Sequence, residues 1–245
     1  MEFRLLGPIE VVEDGRARPI GGPKQRTILA HLVLRANHVL GQDRLIEEVW
    51  GADPPPAARS TLRGYLSHLR TAVGPERLER RSGGYALRAD PSAIDFLRFE
   101  ALVVEGRTLA ATDPAAAART FDRALRLWRG PAMGDLADQP SLQPEIARLE
   151  ELRLTVTEER IAAELDLGRH RELVPELEIL ARAHPYRERL WAHLMTALYR
   201  AGRQADALSA FQRARGILAD ELGIDPSPEL RRLQELILRQ DPALD

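Results

Sequence analysis

The chain contains no cysteine. Disulfide staples and thiolate metal sites are therefore excluded, and the composition favours a reducing compartment. No apolar run approaches the roughly 18 residues that a membrane helix needs. The opening MEFRLLGPIEVV carries an acid at Glu2 and has no long apolar core, so it does not read as a secretory signal. A cytoplasmic, nucleoid-associated protein without a membrane partner is expected. Catalytic signatures are equally scarce. His31, His38, His170, His184 and His193 show no HExxH or other ligand spacing and read as surface or helix-packing residues. The GGPK stretch at Gly21–Lys24 lacks the Gly-Lys-Ser/Thr ending and the preceding apolar strand of a phosphate loop, so it reads as a helix entry. No Ser/His/Asp set with motif context is found. The expectation is no enzyme, no cofactor and no metal.

What is present is a chain of 245 residues, 44% apolar and 29% charged, enough for one large core or two ordinary ones. Its formal charge of −2 hides an asymmetry. Residues 1–90 carry 14 basic against 11 acidic residues, and residues 91–245 carry 21 against 26. Within 57–88 the ratio is seven to two, so positive charge is concentrated in one segment, as in a phosphate-binding patch.

That segment organises the chain. Leu62, Leu66, Leu69 and Val73 form one apolar stripe of a helix. Arg59, Arg63, Ser67 and Arg70 form a second stripe on its shoulder, and the helix contains no carboxylate. Gly74-Pro75 ends it. RLERR, a turn at Ser82-Gly83-Gly84 and YALR then read as a β-hairpin, with Arg80 and Arg81 straddling its tip so that one of them is expected at DNA. A basic-shouldered helix before such a hairpin suits a major groove and its adjacent backbone. Taken alone, the segment fits a solvated amphipathic helix before an ordinary hairpin equally well.

Upstream, FRLLG, IEVVE and RARPI read as short strands, with Asp14-Gly15 a hairpin signal between the last two. A helix from Lys24 to Arg35 buries Ile28, Leu29, Leu32 and Val33, and Lys24 and Arg26 at its start are placed to touch a backbone phosphate. Val39-Leu40 reads as an extended link, and Asp43 to Trp50 as a second helix. GADPPPAA is a stiff loop, because prolines fix φ and cannot donate hydrogen bonds. The order of elements is that of a winged helix behind a small antiparallel sheet.

From about Asp95 the pattern is helical throughout. Gly168-Arg169-His170 aligns with Gly202-Arg203-Gln204 at an offset of 34, which sets Leu173 against Ala207, Leu177 against Phe211 and Leu180 against Ala214. Trp191, Leu194, Ala207, Phe211 and Ala214 then fall at tetratricopeptide spacing. An earlier copy places Ala117, Phe121 and Ala124 in its second helix, which leaves roughly 22 extra residues in one repeat. A helix from Pro228 to Arg239 is expected to cap the array. The resulting fold class is α+β, an OmpR-type winged helix-turn-helix at 1–90 followed by an all-α tetratricopeptide-like domain at 91–245.

The segments RLLGPIEV, KQRTILAHLVLRAN, DRLIEEVWG, STLRGYLSHLR and SGGYAL, followed by RALRLWRG, GRHRELVPELEIL and LADELGIDPSPELRRLQELIL, resemble the Streptomyces antibiotic regulatory protein (SARP) family over essentially the whole chain. The resemblance implies a transcriptional activator of an antibiotic or other secondary-metabolite gene cluster. It would bind direct repeats in double-stranded promoter DNA as side-by-side protomers and recruit RNA polymerase holoenzyme through the sigma factor and other subunits. It implies that Thr61, Arg63, Gly64, Ser67 and His68 face bases, His68 departing from the arginine common at that point. Arg59 and Arg70 would meet phosphates, Trp50 would give its indole N–H to one, and Arg81 and Tyr85 would belong to the wing. Asp53, Pro54, Pro55 and Pro56 match a loop that touches polymerase in related winged helices. Larger relatives add an ATPase module, so the chain is either a small member or the N-terminal portion of one. The competing reading is a protein-interaction scaffold whose winged helix docks on protein.

Overall fold

The computed structural model describes residues 1–244, which fold into two compact units. One comprises Met1–Glu105 with Asp122–Leu154, and the other Gly106–Phe121 with residue 155 onwards. These limits are not those of the two domains expected from composition, because helices α4 (Asp95–Ala110), α5 (Pro114–Leu125) and α6 (Gln143–Asp166) each contribute to both units.

The first unit opens with β1 (Glu2–Arg4), β2 (Glu10–Glu13) and β3 (Arg16–Ala17), an antiparallel sheet in which Phe3 opposes Val11. Asp14 and Gly15 both have positive φ, 51° and 75°, as a two-residue turn matched to strand twist requires. Helix α1 (Pro23–Leu34) starts at GGPK as expected, with Pro23 in its first turn and the Gln25 side chain accepting from the Gly22 N–H at 2.8 Å. Its Ile28, Leu29, Leu32 and Val33 are almost fully buried, each contributing roughly 1.5–3 kcal/mol. Where an extended link was read at Val39-Leu40, Leu40–Gly41 forms a strand, β4, which precedes α2 (Gln42–Trp50).

Helix α3 (Ala58–Val73) buries Leu62, Leu66, Leu69 and Val73, the apolar stripe expected. After it, β5 (Leu78–Arg81) and β6 (Gly84–Leu87) pair with β4 in the order β4-β6-β5, so that Leu40 and Arg80 flank Tyr85. Gly84 is required here, since a Cβ would collide with the Leu40 carbonyl. That close approach is why a two-residue strand forms at all.

The extra residues between repeats pack back onto this unit. Residues 126–142 run through 3-10 turns at Gly134–Leu136 and Pro140–Leu142. The Arg129 and Met133 N–H groups donate to the Leu6 and Leu5 carbonyls at 2.8 and 2.9 Å. Asp135 accepts from the Ile9 N–H at 2.8 Å and from the Arg26 guanidinium at 2.5 Å. The Ser141 hydroxyl donates to the Glu48 carbonyl at 2.7 Å and lies 3.0 Å from His31 Nε2. Asp95, at the start of α4, accepts from the Leu5 and Leu6 N–H groups at 2.8–2.9 Å. Burial pushes its carboxyl above the usual range, against those two amides and Arg129, which favour the charged form.

The second unit contains α7 (His170–Ala183), α8 (Glu188–Arg200), α9 (Gln204–Ile217) and α10 (Pro228–Arg239), beside the parts of α4, α5 and α6 already assigned to it. Gly168 and Gly202 have φ of 76° and 78°, so the 34-residue offset marks one turn used twice. Leu173, Leu177, Ala207, Phe211 and Ala214 are buried, as are Trp191 and Leu194. Trp191 donates to the Pro185 carbonyl at 2.9 Å, which fixes the corner between α7 and α8. Glu158, 1% exposed, is held by Arg187 at 2.9 Å. Helix α10 packs on α8 and α9, where the expected cap belongs. No helix of the described residues is long and apolar enough to cross a membrane.

Candidate nucleic-acid interface

Burying Leu62, Leu66 and Leu69 inward turns the opposite face of α3 to solvent. Arg63, Gly64, Ser67, His68 and Thr71 are exposed on it, while Thr61 is half-buried on its shoulder. Four of the five expected base-facing residues therefore share an open surface, and it contains no carboxylate. Arg70 is half-buried and its Nε is enclosed without a hydrogen-bond partner.

Beside the start of α3, the tip of the β5–β6 hairpin and the N-terminus of α2 enclose a cavity of about 310 Å³. Gly41, Asp43, Arg44, Arg59, Arg80 and Arg81 are among its walls. Four guanidiniums from three elements thus converge at the N-terminus of α2, where Gly41 offers no side-chain cap and the Gln42 N–H donates to the Gly83 carbonyl at 3.4 Å. Most are held in ion pairs. Arg59 meets Asp43 at 2.7 Å, Arg44 meets Glu48 at 2.7 Å, and Arg81 meets Glu79 at 2.5 Å. The Arg81 hydrogen bond is the main reason that the Glu79 carboxyl lies below its usual range. Among the described residues, Arg80 has no ion pair. Gly83, at φ 85°, turns the hairpin so that Arg80 and Arg81 both stay exposed.

Other expected contacts fall differently. Trp50 is half-buried, stacked on Tyr65 with ring centroids 6.3 Å apart and 7° between planes, and the Lys24 ammonium lies 5.2 Å from its ring centroid. The three side chains form one column joining α1, α2 and α3. Two further residues expected at DNA, Arg26 and Tyr85 of the β5–β6 wing, also have partners within the protein. Arg26 is committed to Asp135 and to the Gly21 carbonyl at 3.1 Å, and Tyr85 is only 7% exposed within its sheet. Neither could be read from local pattern, because their neighbours lie 109 residues away for Arg26 and across the sheet for Tyr85. Asp53, Pro54, Pro55 and Pro56 are exposed, and the three prolines line a shallow cavity of about 440 Å³ with Ile46 and Ala58.

With this geometry in place, the comparisons decide the family. Residues 94–238 match the bacterial transcriptional activator domain, and residues 19–87 match the C-terminal domain of transcriptional regulatory proteins. The chain belongs to the SARP family of transcriptional regulators. This regulator is 42% identical over its full length to Regulatory protein AfsR of Streptomyces griseus and spans 25% of it. It is 39% identical over its full length to Regulatory protein DnrI of Streptomyces peucetius, and covers 94% of that protein. The structure of Mycobacterium tuberculosis EmbR in complex with a low affinity phosphopeptide superposes with a TM-score of 0.95 at 41% identity, covering 98% of this chain and 65% of that one. The winged helix is thus of the transcription-regulator type.

The regulator also presents residues that sequence reasoning passed over. Arg44 falls outside the basic window at 57–88, yet the first turn of α2 brings it to the arginine cluster. Tyr65 belongs to neither stripe of α3, and only its partner Trp50 shows its role as the packed end of the column.

Proposed function

We propose that this chain is a sequence-specific activator of a secondary-metabolite gene cluster. It binds direct repeats in promoter DNA as side-by-side protomers and recruits RNA polymerase holoenzyme. The observation that carries the reading is the continuity of one surface. The exposed, carboxylate-free face of α3 adjoins a cluster of four arginines around the α2 N-terminus and the hairpin tip. Arg63, Ser67 and His68 are of the types that read base edges, while the cluster positions the duplex through its phosphates. A surplus of only three positive charges in residues 1–90 makes a lone protomer a weak binder, which favours paired occupancy.

The deciding experiment is a footprint and gel shift on the upstream region of the adjacent biosynthetic genes, repeated across a salt series. With about four phosphate contacts per protomer, the logarithmic salt slope should approach −4 for one site, and about twice that for a cooperative pair. A flat salt response, with retained binding to a protein partner, would instead support the scaffold reading.

A further inference from the structure

A second cluster of guanidiniums lies in the first unit, away from the recognition helix in its lining. A cavity of about 350 Å³ is walled by Glu2 and Arg4 from β1, Asp95 and Arg98 from the start of α4, and Arg126 and Arg129 beyond α5, the Glu2 carboxylate being taken up by Arg4. None of its lining residues belongs to α3 or to the hairpin. Three chain segments that are remote in sequence thus bring four arginines to one cavity.

Their states divide two and two. Arg4 is fixed by Glu2 through both Nε and Nη2, at 3.1 and 2.8 Å. Arg129 is fixed by Glu10 at 2.9 Å and by the Pro8 carbonyl at 3.1 Å. The other two are open. Among the described residues Arg98 has no ion pair, and it is exposed. Arg126 has one partner, Asp122, at 2.8 Å, with its own side chain 78% exposed, and a pair so wet is easily exchanged for another anion. The carboxylate at the base, Asp95, has both oxygens engaged by the Leu5 and Leu6 amides. It therefore repels an incoming anion less than a free carboxylate would.

We propose that this cavity binds a small phosphorylated molecule. Two guanidiniums held in place and two exposed ones, Arg98 unpaired among the described residues and Arg126 in an exchangeable pair, match the way planar arginine forks grip phosphoryl oxygens. Ala93 and Leu127, both partly exposed, supply an apolar wall for the rest of the ligand, and the volume lies in the range of small-molecule sites. Occupancy would bear directly on the joint where Asp95 and Arg129 hold the end of β1.

The test is calorimetric titration of the whole chain with inorganic phosphate, pyrophosphate and ATP at constant ionic strength. Because phosphates also suit the DNA face, each probe is titrated into the wild type, into Arg98→Ala/Arg126→Ala and into Arg59→Ala/Arg80→Ala. The expected result is saturable binding that weakens at least about tenfold in the first variant and is unchanged in the second. Arg98→Lys, which keeps the charge but loses the fork, should weaken it less. Since both substituted residues are exposed, the first variant should melt as the wild type does and shift promoter DNA equally. Phosphate and pyrophosphate binding as well as ATP would point to the phosphoryl group alone, and ATP alone to a nucleotide. No saturable binding by any probe, or binding lost in the Arg59/Arg80 variant and kept in the Arg98/Arg126 variant, overturns the proposal.

Discussion

Arg59 Nη2 lies 2.7 Å from Asp43 Oδ1, so the first arginine of α3 faces an acid of α2 inside the arginine cluster. Both side chains are mostly exposed, at 63% and 78%, so the pair adds little to stability. On the proposed function its effect belongs to binding, because a DNA phosphate would take the place of that carboxylate. Asp43→Ala should raise affinity for all duplexes about three- to tenfold and steepen the salt slope, while Arg59→Ala should lower both by roughly one contact. A salt series on specific and scrambled duplexes checks this. Equal affinity of the Asp43 variant and wild type at low salt would remove Arg59 from the phosphate contacts.

The proposed function gives base reading to the exposed face of α3, where Arg63 carries no ion pair among the described residues. Arg63→Ala should cost about 1–3 kcal/mol on the cognate site and relax preference at one base pair. Arg70, with its Nε enclosed, is expected to act on all sequences alike. Selection from a randomised site with each variant separates the two roles. An unchanged consensus for Arg63→Ala would place base recognition elsewhere on the helix.

The strap at 126–142 makes a stability prediction. Asp135 satisfies the Ile9 amide and the Arg26 guanidinium together. Asp135→Ala leaves the Ile9 amide without its acceptor and removes the Arg26 ion pair, and should destabilise the first unit by about 1–3 kcal/mol. Asp95→Ala should cost more, because Leu5 and Leu6 are fully buried and both lose their acceptor. Chemical denaturation of each variant gives the comparison directly.

What the sequence made legible follows the range of the interactions. The helices came out within a residue or two, because an apolar stripe at i, i+4 and i+7 depends on near neighbours. The 34-residue turn at Gly168 and Gly202 was legible for the same reason. Leu40–Gly41 was not read as a strand, since its partner β6 lies more than 40 residues on and only Gly84 permits the approach. The surplus residues were counted from the repeat offset, but what they pack against was not. The Arg26–Asp135 pair and the buried setting of Tyr85 were likewise not legible. In each case a long-range partner lies outside the reach of the local pattern.

The second unit should weaken in mild acid. His193 has its Nε2 enclosed without a partner, and burial first, then Arg189, holds its pKa down at about 4 against an ordinary 6.5. The folded state therefore binds fewer protons than the unfolded one across that window. Stability is complete above about 6.5 and declines as pH falls toward 4, by about 1–3 kcal/mol in total. His193→Gln should flatten this part of the profile, as followed by thermal melting between the two values. A profile that fails to flatten would assign the acid sensitivity to other groups.

Activation, the last step, is expected to depend on Gly51–Ala57. This loop joins α2 to α3 and so emerges beside the base-reading face, with every one of its residues exposed. Pro54, Pro55 and Pro56 line its cavity of about 440 Å³ together with Ile46 and Ala58, an apolar floor that a partner side chain can enter. Three prolines restrict the loop before anything docks, which reduces the entropy lost on binding. The negative balance of residues 91–245 opposes contact with DNA and suits a second surface for protein. Polymerase contact is therefore expected to be shared between this loop and the helical repeats. Replacing Pro54-Pro55-Pro56 by Gly-Ser-Gly moves no residue of α3, so promoter affinity should stay within about twofold in the gel shift. Transcription from the same promoter, reconstituted with purified holoenzyme, should fall severely. Full activation by the altered loop at saturating protein would leave the repeats as the sole contact with polymerase. Lost affinity would show instead that the prolines set the position of α3 on DNA.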